Sequence, residues 1–330
     1  MKQMYFIGVD VSKGKLDVCI IDMQGQVIIE KIIGNTRSAI RNFIEKILRV
    51  LKTGKDNILI CCEHTGIYCR PLQLVATEMG YSLWLENAYK INRASTDMRG
   101  KSDKKDALRI AEYALRYSDR KVLHNEAPEE IAQLRTMLDA RNTLLEKLTS
   151  LRQQVNECKK FDPDKFALLK DCYGQSIRTL VKELRKMKDK ILELVASNEK
   201  LAADAKLLQS IPGIGEQVSL NFMSVTNGMT SFETAKQLAC YAGVVPFPNQ
   251  SGTVVRKDRV SRFANKKLKK LLHLAAMAAV KAHGELRNYY LRKVKEGKNK
   301  MAVLNAIRNK LVHRMVAVLK RQQPYVHLQR

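Results

Sequence analysis

Met4-Tyr5-Phe6-Ile7-Gly8-Val9-Asp10 is an apolar run that ends in a carboxylate, and two more strand-like runs, Leu16 to Asp22 and Val27 to Ile33, follow it directly. The three read as consecutive strands, the last two joined by a turn at Gln24-Gly25. The period then changes: Thr36 can cap a helix running to about Leu51, with Ile40, Phe43, Ile44, Ile47 and Leu48 on one face. Asn57 to Glu63, again apolar and again closed by a carboxylate, suits a central strand buried on both faces. A helix from about Tyr68 to Met79, a strand at Ser82 to Leu85 and a helix from near Ser102 follow. Residues 1–125 are therefore expected to form an α/β domain that begins with a three-strand meander.

From Pro128 the pattern becomes long, charged and helical. Ile177, Leu180, Leu184, Met187, Ile191 and Leu194 alternate spacings of three and four, the seam of a coiled coil. Leu134, Leu138, Leu145, Leu148 and Val155 are its expected partner stripe, with Asp162-Pro163 breaking one helix from the next. An intramolecular hairpin and a dimerisation arm fit this pattern equally, so residues 126–204 read as a helical arm with either role. The remaining segment, 205–330, opens on Ser210-Ile211-Pro212-Gly213-Ile214-Gly215. That is the turn of a helix-hairpin-helix, in which Gly213 and Gly215 would let backbone N–H groups approach a phosphate, or else an ordinary Pro-Gly turn. Helices near Glu216 to Thr226 and Thr234 to Ala242, a loop from Val245 to Gly252 and basic helices beyond it complete a small, mainly α-helical domain.

The chain has 330 residues, enough for two or three domains, and a formal net charge of +26. The excess is concentrated: residues 251–330 hold 21 Lys and Arg against Asp258, Glu285 and Glu296. Arg256, Lys257, Arg259, Arg262, Lys266, Lys267, Lys269 and Lys270 crowd together, a density that needs a polyanion and suits phosphate contacts. Aromatic residues make up only 6%, so base stacking on the protein is not the expected mode of readout. The longest apolar stretch, around Ala275 to Val280, is far short of the roughly 18 to 20 residues of a membrane span, which argues against a membrane. The N-terminus runs straight into a strand without an apolar leader, and the seven cysteines are odd in number, without a C-x-x-C and mostly among apolar neighbours. A reducing cytoplasm is the expected location. The six histidines never pair with cysteines at zinc-finger spacing.

Chemistry is expected at the strand ends. Asp10 and Glu63 each close a buried strand, and Asp103 and Asp106 lie three apart at a helix start, hence on one face. Four such carboxylates can bind two Mg²⁺ about 3.5 to 4 Å apart, the arrangement that serves phosphodiester chemistry. The plainer alternative is that Asp103 and Asp106 complement a helix dipole behind a Ser102 cap and pair with Lys101, Lys104 and Lys105.

Three blocks carry a resemblance: Gly8-Val9-Asp10-Val11-Ser12-Lys13, Cys62-Glu63-His64-Thr65-Gly66 and Lys101-Ser102-Asp103-Lys104-Lys105-Asp106-Ala107. With Ser210 to Gly215, Tyr241-Ala242-Gly243-Val244-Val245-Pro246 and Gln250-Ser251-Gly252 in the same order, the sequence resembles the DEDD insertion-sequence transposases over nearly its whole length. The resemblance implies a RuvC-like N-terminal domain of RNase H fold whose acids hold Mg²⁺. It also implies a C-terminal transposase domain in which Ser251 attacks DNA and forms a covalent phosphoserine intermediate. From the residues alone Ser251 is a loop serine before a glycine with no base beside it. Further implied are donor and target DNA, a structured non-coding bridge RNA as guide, and a homo-oligomer, dimer or tetramer, whose serine and acids meet between protomers. One departure is His64, where the family carries a small residue; it can touch a phosphate or, as expected of most such histidines, point into the fold.

Three other functions remain on the sequence. A hydrolytic RuvC-like junction-resolving nuclease would use water in place of Ser251. An actin-like phosphotransferase would use Gly8 to Lys13 against a nucleotide phosphate, but the chain has no second glycine-rich phosphate loop. A nucleic-acid-binding protein without catalysis would carry the acids as structure only.

Overall fold

Alternation along the first strands is resolved by two different layers, one on each side of a five-stranded sheet. The chain is described here from a computed structural model, which covers residues 4–94, 103–251, 254–261 and 264–326; the side chains of Asp103, Lys104, Asn249, Ser251 and residues 254–259 also lie outside it. β1 (Tyr5–Val11), β2 (Lys15–Ile21) and β3 (Val27–Gly34) form the antiparallel meander, and β4 (Ile58–Glu63) and β5 (Ser82–Glu86) add in parallel on the other side of β1. The order is β3-β2-β1-β4-β5. Helices α1 (Arg37–Leu51) and α2 (Arg70–Met79) cover one face through Ile40, Phe43, Ile44, Ile47, Leu72 and Val75, packed on Ile7, Val9, Leu16, Val18 and Ile60. Thr36 caps α1 by accepting from the Ala39 N–H at 3.3 Å, a contact worth about 1 kcal/mol.

The opposite face is covered by α4 (Asp103–Arg116), which follows the short α3 (Ala88–Ala94). Ala107, Ile110, Ala111 and Ala114 of α4 pack on Phe6, Cys19, Leu59, Cys61 and Trp84. Contact is closest at Gly8: a Cβ there would sit 2.1 Å from the Ala107 carbonyl oxygen and 2.4 Å from the Ala111 nitrogen. The glycine, facing two alanines, thus sets how near the helix lies to β1.

Residues 1–126 and 127–330 form two compact units. The second opens with α5 (Glu129–Phe161) and α6 (Pro163–Ser197), each roughly 50 Å long at 1.5 Å per residue. Asp162 makes the reversal and caps α6 through the Lys165 N–H at 3.0 Å. The two helices pack along one another within the chain. On α5, Leu134, Leu138, Leu148 and Val155 are buried as expected, whereas Leu145 is exposed; on α6 only Ile191 is fully buried and the rest of the expected seam is half-buried. A pair of helices without a third layer can cover no more than that.

α7 (Glu199–Gln209), α8 (Glu216–Thr226), α9 (Ala235–Tyr241), α10 (Lys266–Lys281), α11 (Glu285–Lys295) and α12 (Lys300–Arg321) complete the unit. Its core joins Leu134, Leu138 and Ile191 at the base of the hairpin to Leu208, Phe222, Leu238, Leu272, Ile307 and Leu311. Arg135 of α5 is tied to α8 by donating to the Ser224 carbonyl at 2.6 Å and to Asn227. One expectation fails outright. Val245 to Gly252 is not simply a loop before basic helices: β6 (Pro246–Ser251) pairs antiparallel with β7 (Val254–Val260) as a two-stranded ribbon, with a register shift between Phe247 and Asn249. Ribbon pairing satisfies backbone groups that Pro246 and Pro248 would leave unpaired in a helix.

Candidate active site

The ends of the central strands bring carboxylates into one row. Asp10 and Asp17 are cross-strand partners in β1 and β2, and Glu63 and Glu86 are neighbours in β4 and β5. Val9 pairs with Cys62, which leaves Asp10 and Glu63 next in register. Because residues two apart share a face, Asp10 lies on the same side as Gly8, the side covered by α4. Asp17, Asp10, Glu63 and Glu86 therefore cross the sheet as a line of four, facing the helix that begins at Asp103 and carries Asp106 in its first turn. Asp10, Glu63, Asp103 and Asp106 are the carboxylates expected from the sequence; Asp17 and Glu86 join them only through the register of the meander and of β4 with β5.

The two additions differ. Glu86 is buried and satisfied: its carboxylate accepts from the Asn87 N–H at 2.7 Å and the Tyr113 hydroxyl at 3.2 Å, and Lys90 lies 3.1 Å away. Burial, and after it the Glu86 charge, push the Tyr113 phenol well up from its ordinary range, so it stays a donor. Asp17 is 3% exposed; Lys15 reaches one of its oxygens at 3.1 Å, but the other, Oδ1, has no hydrogen-bond partner. A buried carboxylate oxygen left unsatisfied is costly. Beside it a cavity of about 330 Å³ is lined by Asp17, Cys19, Glu30, Ile32 and Ala107.

Asp106 is held by Arg109 at 2.8 Å, one turn along α4. Asp103 is the first residue of α4, and its side chain lies outside the described residues, as do Lys101 and Ser102. After Glu63 the chain is fixed by sulfur: the Cys69 thiol donates to the Glu63 carbonyl at 3.2 Å, and the Thr65 N–H donates to Cys69 Sγ at 3.2 Å. The Cys62 thiol, hydrogen-bonded to Cys69 and buried, is pushed well up, and that same bond lowers Cys69. All seven cysteines are free. His64 corrects an expectation. Its N–H continues the ladder to the Glu86 carbonyl at 2.9 Å, but its side chain is exposed and does not point into the fold, because the strand ends at Glu63.

A donor set made of carboxylates fits a hard divalent cation, and the orphaned Asp17 oxygen adds to that fit. Among the described residues, no three His, Cys, Asp or Glu side chains converge closely enough to hold a metal ion by themselves.

In the second unit, Ser251 is the last residue of β6 and pairs with Val254; Arg256, Lys257 and Arg259 follow in β7, and Arg262 lies outside the described residues. Lys266 is exposed at the start of α10, whereas Lys267 pairs with Asp139 at 2.9 Å. Gly213 has φ +89°, and a Cβ there would strike the Ala275 carbonyl at 2.6 Å, so helix packing already requires a glycine. Gly215 has open space beside it and heads α8 without a side-chain cap. No helix among the described residues is long and apolar enough to cross a membrane.

Residues 7–158 match a DEDD-type IS110 transposase family model, and residues 205–291 match one described as "Transposase IS116/IS110/IS902 family". The chain is 25% identical to the pilin gene-inverting protein of Moraxella lacunata over 97% of each chain. It is also 25% identical to the transposase for insertion sequence element IS1111A of Coxiella burnetii, over 98% of this chain and 92% of that one. Among solved structures, Thermus thermophilus RuvC in complex with a Holliday junction substrate aligns with a TM-score of 0.30 and 11% identity, over 37% of this chain and 99% of that one.

Proposed function

The chain belongs to the IS110/IS116 family of transposases, DNA recombinases by class, and from that premise we propose how its residues cut and rejoin DNA. The observation that carries the proposal is the register row: Asp10 and Glu63 side by side at strand ends, facing the helix start of Asp103 and Asp106. Those four would hold Mg²⁺, which would supply Lewis acidity toward the scissile phosphate. Asp17 and Glu86 flank them and add negative charge to the row.

The Ser251 hydroxyl attacks the phosphorus of one strand. The P–O bond to the departing strand breaks, its oxygen leaves as a hydroxyl, and the serine proton is released; the phosphodiester is kept as phosphoserine. Attack on that phosphoserine by the hydroxyl of a second strand restores a phosphodiester and frees Ser251, so joining needs no ATP. The position of Ser251 within the family motif and at the end of β6 supports this role. Donor and target DNA are the substrates, a structured non-coding RNA is the guide, and the assembly is a homo-oligomer. A relative named for inverting a pilin gene fits the scheme, since inversion requires both cutting and rejoining.

The test is to incubate the protein with end-labelled donor and target DNA, the RNA transcribed beside its gene, and Mg²⁺, and to denature. A labelled protein adduct that needs Mg²⁺ and is lost in Ser251→Ala is the expected result. Strand cutting that survives in Ser251→Ala without an adduct would instead assign water as nucleophile.

A further inference from the structure

Arg308 of α12 lies in the interior of the second unit, 7% exposed, and among the described residues no carboxylate pairs with it. One of its terminal nitrogens, Nη2, donates to His273 Nδ1 at 2.6 Å, and its Nε has no partner. A guanidinium is a planar fork of five donors, always charged, and burying one without a counter-charge is expensive. Among the described residues its basic neighbours are Lys269 and His273. Lys269 and His273 stand one turn apart on α10; burial, and then the Arg308 charge, lower the affinity of both for a proton. His273 is thereby kept as the neutral acceptor that Arg308 uses.

The surroundings tie this cluster to the ribbon. Gly243, at φ +64°, turns the chain between α9 and β6, and the position a Cβ would take there is 3.6 Å from Lys269 Nζ. Asn305, one turn before Arg308 on α12, donates to the Val244 carbonyl at 2.8 Å. The cations therefore sit under the root of β6, the strand whose far end is Ser251.

We propose that Arg308, Lys269 and His273 form a phosphate site that takes one phosphodiester of a nucleic-acid strand at the root of the ribbon. The guanidinium donors of Arg308 that His273 does not use suit phosphate oxygens, with half-exposed Lys269 beside them as a point charge. His273 orients the guanidinium and contacts no phosphate. The site rests on the nucleic-acid function proposed above and adds a fixed point at which the strand is gripped.

The experiment measures binding of full-length protein to duplex DNA of arbitrary sequence, and in parallel to an RNA hairpin, across a KCl series. Lys269→Gln and Arg308→Met are expected to weaken binding about fivefold and to lower the slope of log affinity against log salt by about one, the loss of one phosphate contact. Loss confined to the DNA arm assigns the phosphate to DNA, and loss confined to the RNA arm assigns it to the guide. Arg308→Met carries a second readout: with a buried unpaired cation removed, its melting temperature in phosphate-free buffer is expected to equal or exceed wild type. Wild-type affinity and slope in Lys269→Gln, with Arg308→Met either equally unaffected or simply less stable, would overturn the site. Failure of the wild-type chain to bind either polynucleotide would overturn the nucleic-acid function itself, and the site with it.

Discussion

Asp17 shows how much one side chain at a strand end can matter. It faces Asp10 across an antiparallel pair, a placement in which like charges destabilise the sheet by about 0.2 to 1 kcal/mol. Lys15 offsets part of this from a side chain that is 42% exposed, but Oδ1 stays unpaired. Such a residue is tolerable if a cation meets the row. Asp17→Asn keeps the shape and removes the charge, so the Mg²⁺ concentration giving half-maximal strand cleavage should rise several-fold. The metal-free protein should gain stability by up to about 1 kcal/mol as the repulsion disappears. A Mg²⁺ titration of cleavage, read beside thermal unfolding in chelator, checks both signs. An unchanged Mg²⁺ requirement would leave Asp17 as a structural partner of Lys15 alone.

At the scale of elements, the contact between β1 and α4 sets the distance between the carboxylates on the sheet and those on the helix. Gly8→Ala would place a Cβ against the backbone of Ala107 and Ala111, atoms that cannot give way unless α4 moves. Overpacking of this kind costs about 1 to 3 kcal/mol, and the displacement carries Asp103 and Asp106 away from Asp10 and Glu63. A melting temperature lower by several degrees is expected, with far-ultraviolet dichroism retained and cleavage largely lost. Normal cleavage in a well-folded Gly8→Ala protein would show that the helix tolerates a different seat.

The elements themselves were largely legible: the meander, the buried run ending at Glu63 and the Asp162-Pro163 reversal all follow from local period and turn chemistry. The ribbon was not, because Pro246, Pro248 and the charged run from Arg256 to Arg259 show no alternation of apolar and polar residues. Asp17 and Glu86 were missed since a carboxylate row belongs to strand register, which no single strand displays. The Arg308 cluster joins α10 and α12 through positions that in sequence are only polar gaps in apolar helices.

For the whole molecule, the decisive fact is the division of labour along the chain: the carboxylates belong to the unit of residues 1–126, and Ser251 to the unit of residues 127–330. In the proposed reaction both act on one phosphorus. If acids from one chain serve the serine of another, defects in the two can complement. Consider Asp10→Ala mixed with Ser251→Ala in a two-fold dimer. Each mixed dimer has one site carrying both defects and one site carrying neither. Random exchange makes half of the dimers mixed, so about a quarter of all sites are intact at equal ratio, although each variant alone has none. Strand exchange by the mixture should therefore recover to about a quarter of wild-type activity and fall away on either side of equal ratio. If acids and serine of the same chain cooperate, every site in every dimer keeps a defect, and no ratio restores activity. The measurement distinguishes the two after unfolding and refolding the variants together, which ensures that subunits exchange. Under the trans arrangement a monomer is inactive by construction, and DNA is cut only where two chains have already met on it.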